Sequence, residues 1–263
     1  MGESQHQVTV KKHFNALAPI YDAKAENRKN YLQGIDQIII QYLKKKEQKN
    51  QRPLVILDVG CGSGTRAANI AAHLRSPHVW GIDIAEQMIN QARKRIDYAS
   101  MQNMTSFSLP VKYDAIFCLF NSFGYLGTYK ERFQALRRMY DHLKYDGTLF
   151  IDVMNIFHKG EGSAFKRKNR DILKDILFPL IHPRMGVGNK EFSIKINNKD
   201  IKGFVHGFFD TEMKWLLKKS RWITEQKYII GYDSGKIQQQ NSEGQLFYIC
   251  KKNDTTRKTL FWA

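Results

Sequence analysis

Acidic residues are in short supply in this chain. Its 263 residues hold 25 Asp and Glu against 42 Lys and Arg, a formal net charge of +17. Such an excess favours anionic partners, whether nucleic acid, acidic protein, anionic lipid or a phosphorylated small molecule. It also fits a merely lysine-rich composition, and no recognised nucleic-acid module accompanies it. Cysteine is scarcer still. Cys61, Cys118 and Cys250 stand far apart with no C-x-x-C pair, so neither a disulfide framework nor a zinc site is suggested. Cys61 and Cys118 lie in apolar surroundings and read as small buried thiols. No apolar run is long enough to span a membrane and no apolar leader opens the chain, so a soluble, cytoplasmic protein is expected. Internal repeats are absent. The 42% hydrophobic content suffices for a globular core, and the length suits one large α/β domain or a domain with an insert.

What is present is organised around Leu54 to Thr65, Leu-Val-Ile-Leu-Asp-Val-Gly-Cys-Gly-Ser-Gly-Thr. The unbroken apolar run at its start is how a strand buried on both faces of a parallel sheet reads. Asp58 follows, then glycines at alternate positions, Gly60, Gly62 and Gly64, then a helical pattern from Thr65 through Leu74. Glycine is wanted where the backbone takes positive φ or where a ligand lies against it. Backbone N–H groups at the start of the following helix are expected to face that ligand. A phosphate loop would need Gly-Lys-Ser/Thr where Gly64-Thr65-Arg66 stands. A dinucleotide fingerprint would need a third glycine where Thr65 stands. A structural turn with no ligand is the remaining alternative, but three alternating glycines weaken a fold that gains nothing from them.

The spacing Asp58-x-Gly60-x-Gly62-x-Gly64 resembles motif I of the class I S-adenosylmethionine (SAM) dependent methyltransferases. The resemblance implies an α/β, doubly wound, mainly parallel seven-stranded sheet, and SAM as cofactor. It covers residues 11–158 and 210–252. Within it, Asp58, Gly60, Cys61, Gly62 and Gly64 are the cofactor-binding turn.

Other segments take their places around this turn. Residues 1–10 are polar and read as frayed. Phe14, Leu17 and Ala18 have helical spacing that Pro19 stops. The phrase Ala-Pro-Ile-Tyr-Asp resembles the segment lying over the SAM site in small-molecule methyltransferases, which makes Tyr21 a candidate for cofactor contact and for catalysis; a packed amphipathic tyrosine is the alternative. A helix is expected from Tyr31 to Leu43 and a solvated linker from Lys44 to Arg52. His78 to Ile84 reads as a second strand. It carries Asp83 about twenty residues beyond the turn, where nucleotide-binding α/β units place a carboxylate on the ribose diol. Asp83 with Glu86 also has the spacing of a helix-capping pair. Ile84 and Met88 then offer an apolar wall for the adenine, and the helix runs on to Ile96. Asn103, with Met104 beside it, stands where related enzymes often have an Asp accepting from the adenine amino group; an Asn carbonyl can accept too. The third strand is hard to see.

Tyr113 to Phe120 is the fourth strand. The carboxyl ends of strands form the ligand face of an open α/β sheet, which places Leu119, Phe120 and Asn121 beside the reacting methyl. The phrase from Phe120 to Leu126 resembles N-methyltransferases of the glycine and amino-sugar type. Asn121 and Ser122 also suit a cap or turn. Candidates for catalysis are Tyr21, Asn121, Tyr125 and His158, with His206 as a further possible base. Thr148 to Val153 is the fifth strand. Residues 159–209 read as an inserted β-containing lid over the acceptor, with a basic run at Lys166 to Arg170, a short helix from Asp171 to Ile181, and a hairpin at Asn197 to Asp200. Asp210-Thr211-Glu212 reads as a helix cap, and two strands, Trp222 to Tyr232 and Gln245 to Lys251, end the core. The organisation is thus core 1–158, lid 159–209, core 210–252 and tail 253–263.

The expected activity is methyl transfer from SAM to a small-molecule acceptor, an amine, by in-line displacement and without a metal. No Asn/Asp-Pro-Pro-Tyr segment and no Pro-Cys nucleophile occurs, which argues against exocyclic adenine amines and cytosine C5 as acceptors. An RNA methyltransferase using the basic surface, and a SAM-binding protein without activity, are the alternatives.

Overall fold

The computed structural model describes residues 4–158, 188–196 and 198–253. An eight-stranded sheet in the order β3-β2-β1-β4-β5-β10-β8-β9 forms its centre. The strands are β1 (Val55–Val59), β2 (His78–Asp83), β3 (Tyr98–Met101), β4 (Tyr113–Cys118), β5 (Leu143–Val153), β8 (Trp222–Ile230), β9 (Ile237–Gln238) and β10 (Gln245–Lys252). β1 to β5 run parallel, and β10 is antiparallel to both β5 and β8. The seven expected strands are present, joined by the two-residue edge strand β9. A separate antiparallel hairpin, β6 (Asn189–Ile196) with β7 (Lys199–His206), is the described part of the insert. Its alternation is as expected: Phe192, Ile194 and Ile196 share the more covered face. The basic run 166–170 and the helix expected at 171–181 lie outside the described residues, as does the tail beyond Asn253.

Alternation along the central strands decides the layers. Ile56, Ala115, Phe117, Phe150 and Phe247 point to one face, where they meet Ile35, Ile39 and Leu43 of α3 (Lys29–Asn50) and Ile70 of α4 (Thr65–Ala71). Leu57, Ile116, Cys118, Leu149 and Tyr248 point to the other, against Leu136 and Met139 of α6 (Tyr129–His142) and Met213 and Leu216 of α7 (Asp210–Lys219). A one-residue shift in any strand would exchange the two sets, so the register is strongly specified. Each fully buried Ile or Leu here contributes roughly 1.5–3 kcal/mol over leaving it exposed.

Three helix boundaries differ from the sequence reading. The N-terminus is not frayed through residue 10: α1 (Gln5–Leu17) starts in a capping box of Ser4 with Gln7. The Lys44 to Arg52 segment is no linker. α3 continues through it to Asn50, because Glu47 is buried and its carboxylate accepts the Arg75 N–H at 2.8 Å. α5 (Glu86–Ala92) stops short of Ile96. Its N-cap is Ala85 with no side-chain cap, so Asp83 and Glu86 do not form a capping pair. Asp210 likewise does not cap α7. It accepts from Lys214, Lys227 and Tyr248 instead. Among the described residues no helix is long and apolar enough to cross a membrane.

Candidate active site

The strand order reverses between β1 and β4, and a crevice opens there at the carboxyl ends of the strands. It is a cavity of about 410 Å³, within the usual range for a small-molecule site. Gly60, Gly62, Asp83, Ile84, Asn103 and Met104 line one end. Phe120, Asn121, Tyr125, Asp152, Met154 and Tyr232 line the other. Tyr21 and Phe14 close the top, on a strap made of α1, a 3-10 turn (Ala18–Ile20) and α2 (Tyr21–Glu26).

The glycine turn has the geometry the spacing demanded. Gly60, Gly62 and Gly64 take φ of 78°, 52° and 78°. A Cβ at Gly60 would stand 2.7 Å from Ser122 Cβ, and one at Gly62 would stand 3.3 Å from the Tyr21 ring. Gly64 serves packing rather than the cavity: its Cβ would meet the α5 backbone at Ala92, 3.1 Å away. Three N–H groups of the turn are bonded within the protein. Those of Gly60 and Cys61 donate to the Ile82 carbonyl at 2.8 and 3.0 Å, and that of Gly62 donates to Asp83 Oδ2 at 3.0 Å. The turn is thus shaped for close approach and is held by the end of β2.

Asp83 is the holding residue. Its Oδ1 accepts the Ala85 N–H at 2.9 Å while Oδ2 takes Gly62. Burial raises its pKa, and the backbone donors of Ala85, Gly62 and Ile84 oppose that rise. Each oxygen keeps a lone pair for a diol in the cavity. Asn103 departs from its expected role. Its Oδ1 accepts both the N–H and the hydroxyl of Thr105, each at 2.9 Å, so that oxygen is engaged and the amide NH₂ is the group left for a ligand.

The turn after β4 is strained and tied down. Phe120 and Asn121 both adopt left-handed backbone, φ 57° and 59°, costly for non-glycine residues and concentrated at functional sites. The Phe120 N–H donates to Asp152 Oδ1 at 2.5 Å, and Asn121 Oδ1 accepts the Met154 N–H at 2.8 Å. Ser122 Oγ donates to the carbonyl of Leu119 at 2.8 Å and lies 3.2 Å from that of Gly60. The Asn121 amide nitrogen has no hydrogen-bond partner among the described residues. Asp152 is 1% exposed and also accepts the Tyr31 hydroxyl at 2.5 Å. Burial raises its pKa, against the pull of Arg66.

Several expected site residues lie off the cavity wall. Asp58 is buried beneath the turn, where burial pushes its carboxyl up to about 7. Cys61 packs under Gly81, Met88 under Ala18, and Leu119 in the α3-side core. His158 is buried behind Tyr232, ring centroids 5.9 Å apart, and burial lowers its pKa. His206 is bound elsewhere, between Asn189 Oδ1 at 2.6 Å and the Glu212 carboxylate at 3.0 Å. Tyr125 does line the cavity, but burial pushes its phenol up to about 12, and Tyr21 is raised further. Both remain protonated donors at neutral pH, not bases.

Sequence reasoning missed Asp152, Tyr31 and Tyr232. Asp152 stands at the carboxyl end of β5, the position the open-sheet rule singles out. Tyr31 and Tyr232 arrive from remote elements, and no local pattern announces them.

Comparison with known proteins agrees with this geometry. Residues 56–147 match the family model described as "Methyltransferase domain". The chain is similar to a dTDP-3-amino-3,4,6-trideoxy-alpha-D-glucopyranose N,N-dimethyltransferase of Streptomyces venezuelae, 31% identical over 99 residues, which are 37% of this chain and 41% of that one. It thus spans well under two thirds of the length of that curated relative. The fold is similar to that of a S-adenosylmethionine-dependent methyltransferase from Clostridium acetobutylicum, with TM-score 0.60, 16% identity, and 91% and 99% of the two chains covered. It is also similar to a SAM-bound amino pentose methyltransferase from Micromonospora echinaspora, with TM-score 0.57, 19% identity, and 89% and 96% covered. The architecture is that of the Rossmann-like methyltransferases.

Proposed function

We propose that this chain, built on the class I methyltransferase fold, is a SAM-dependent methyltransferase that acts on the amine of a small molecule. The observation that carries the reading is the single cavity joining two chemically different ends. One end has Gly60 and Gly62 in its wall, left-handed and packed by Ser122 and Tyr21 where a Cβ would stand, and the Asp83 carboxylate suited to a ribose diol. Ile84 and Met104 offer apolar contact for an adenine, and Asn103 an amide donor. These residues fit SAM. When bound, SAM supplies a methyl group already activated on a sulfonium.

The other end receives the acceptor. Tyr31, Phe120 and Tyr232 give an aromatic enclosure and Asp152 a buried carboxylate. A cationic amine is attracted to both. The carboxylate of Asp152 holds the ammonium in place and takes the proton the nitrogen must lose before its lone pair can react. Tyr31 and the Phe120 N–H fix that carboxylate, and Tyr21 and Phe14 cover part of the cavity. An RNA acceptor fits less well, because a cavity of about 410 Å³ suits a small molecule.

The test is calorimetry with S-adenosylhomocysteine, NAD and ATP, followed by a methyl-transfer screen over amine metabolites and RNA at two salt concentrations. Binding of S-adenosylhomocysteine alone at micromolar level and salt-insensitive methylation of an amine are the expected results. Nucleotide binding without S-adenosylhomocysteine binding sinks the cofactor reading. Activity on RNA that collapses with salt sinks the acceptor reading.

A further inference from the structure

The strap that roofs the cavity is pinned to the glycine turn by one side chain that does not itself line the cavity. Asp22 follows Tyr21 on α2. Its Oδ1 accepts the Ser63 hydroxyl at 2.6 Å, and its Oδ2 accepts the Thr65 hydroxyl at 3.1 Å. Arg95, in the turn after α5, completes the junction: it donates to Asp22 Oδ2 at 3.2 Å and to the Ser63 carbonyl at 3.0 Å. Three chain segments, about forty and seventy residues apart, meet at this one carboxylate. The strap also makes ring contacts and hydrogen bonds elsewhere, such as Gln91 to the Ala18 carbonyl at 2.9 Å and Gln7 to the Glu131 carboxylate at 2.9 Å.

The consequence follows from where Tyr21 lies. Its ring is 3.3 Å from the position a Gly62 Cβ would occupy, so the strap in this position closes over the turn. Nothing passes between a ring at that distance and Gly62 until the strap lifts. The charged junction at Asp22 must then break.

We propose that Asp22 is a positioning residue that latches the strap to the cofactor turn, seating Tyr21 over the bound cofactor and setting the rate at which the cofactor is exchanged. Ser63 and Thr65 present both hydroxyls to Asp22 only while the glycine turn holds its left-handed shape. A ligand that stabilises the turn therefore stabilises the latch, and by linkage the latch tightens the ligand. The argument rests on the cofactor reading above, and the experiment separates the two.

Asp22→Ala and Asp22→Asn are compared with the natural protein by amide hydrogen exchange over residues 5–26, without ligand and with S-adenosylhomocysteine, and by stopped-flow release of S-adenosylhomocysteine. Asp22→Ala is expected to speed exchange in the strap in the ligand-free protein. It should also speed ligand release on the order of tenfold, the scale of one charge-assisted contact. It should raise KM for SAM more than it lowers kcat. Asp22→Asn, which keeps one acceptor oxygen, falls between. Adding Thr65→Ala to Asp22→Ala brings little further change, because both remove the same bond. An unaltered strap exchange, or unaltered release with a lowered melting temperature, overturns the proposal. If S-adenosylhomocysteine fails to bind the natural protein, the cofactor reading falls while the ligand-free exchange still decides the latch.

Discussion

Gly62 and Asp83 are 21 residues apart, yet the glycine's N–H donates to the carboxylate at 3.0 Å. This bond closes the crossing between β1 and β2 and fixes the turn over which a ligand lies. Asp83 therefore has a structural and a binding task at once.

Asp83→Ala is expected to weaken SAM binding by about 1–3 kcal/mol, the loss of hydrogen bonds to a charged group. It should also lower the melting temperature, since two backbone donors lose their partner. Calorimetry and a thermal melt read both. Normal binding by a variant that melts early would leave Asp83 a purely structural role.

Gly62→Ala is expected to abolish detectable SAM binding while the protein still folds. The left-handed backbone costs a non-glycine residue about 1–2 kcal/mol, and the new methyl occupies the gap beneath Tyr21. Equilibrium dialysis with radiolabelled SAM, alongside circular dichroism, checks this. Undiminished binding would contradict the cradle.

Stability should depend on pH through Asp58. Burial pushes its folded pKa up to about 7, above the ordinary aspartate value of 3.8. The folded state therefore holds the proton more tightly than the unfolded chain between those values. Folding stability then falls as pH rises from about 4 to about 7, and flattens above. Asp58→Asn, which cannot ionise, should remove this slope in urea titrations at pH 5, 6, 7 and 8. A slope unchanged in the variant would assign it to other groups.

Asp152→Asn is expected to lower kcat/KM for an amine acceptor about 10- to 100-fold, the scale of a hydrogen bond to a charged group, with little change in SAM affinity. His158→Gln, altered behind Tyr232, should leave turnover near that of the natural protein. Steady-state kinetics on both variants checks the pair. A large loss in His158→Gln with Asp152→Asn active would move the base to the histidine.

Much of the core could be read from local pattern. The apolar run of β1, the three glycines and the strand carrying Asp83 each report on a few consecutive residues. Backbone conformation and strand burial are local enough for that. The Phe192, Ile194, Ile196 alternation in β6 is of the same kind. The helix boundaries failed where a distant contact overrode composition: Lys44 to Asn50 looks solvated, yet Glu47 meets Arg75 and the helix goes on.

The sequence by itself determined that a strand turns through glycine into a helix, that an acid follows at the end of the next strand, and that alternate residues feed two helical layers. These depend on φ preference and side-chain period, which act within one element. Only the tertiary structure decided which of the flagged residues face the cavity. Met88 and Leu119 turn inward, and His158 is screened by Tyr232, while Asp152 and Tyr31 meet across 121 positions. It also decided that Asp22 joins the strap to the turn. Such relations rest on which strand end lies beside which, and that is set by the packing of the whole sheet rather than by any segment's own preference.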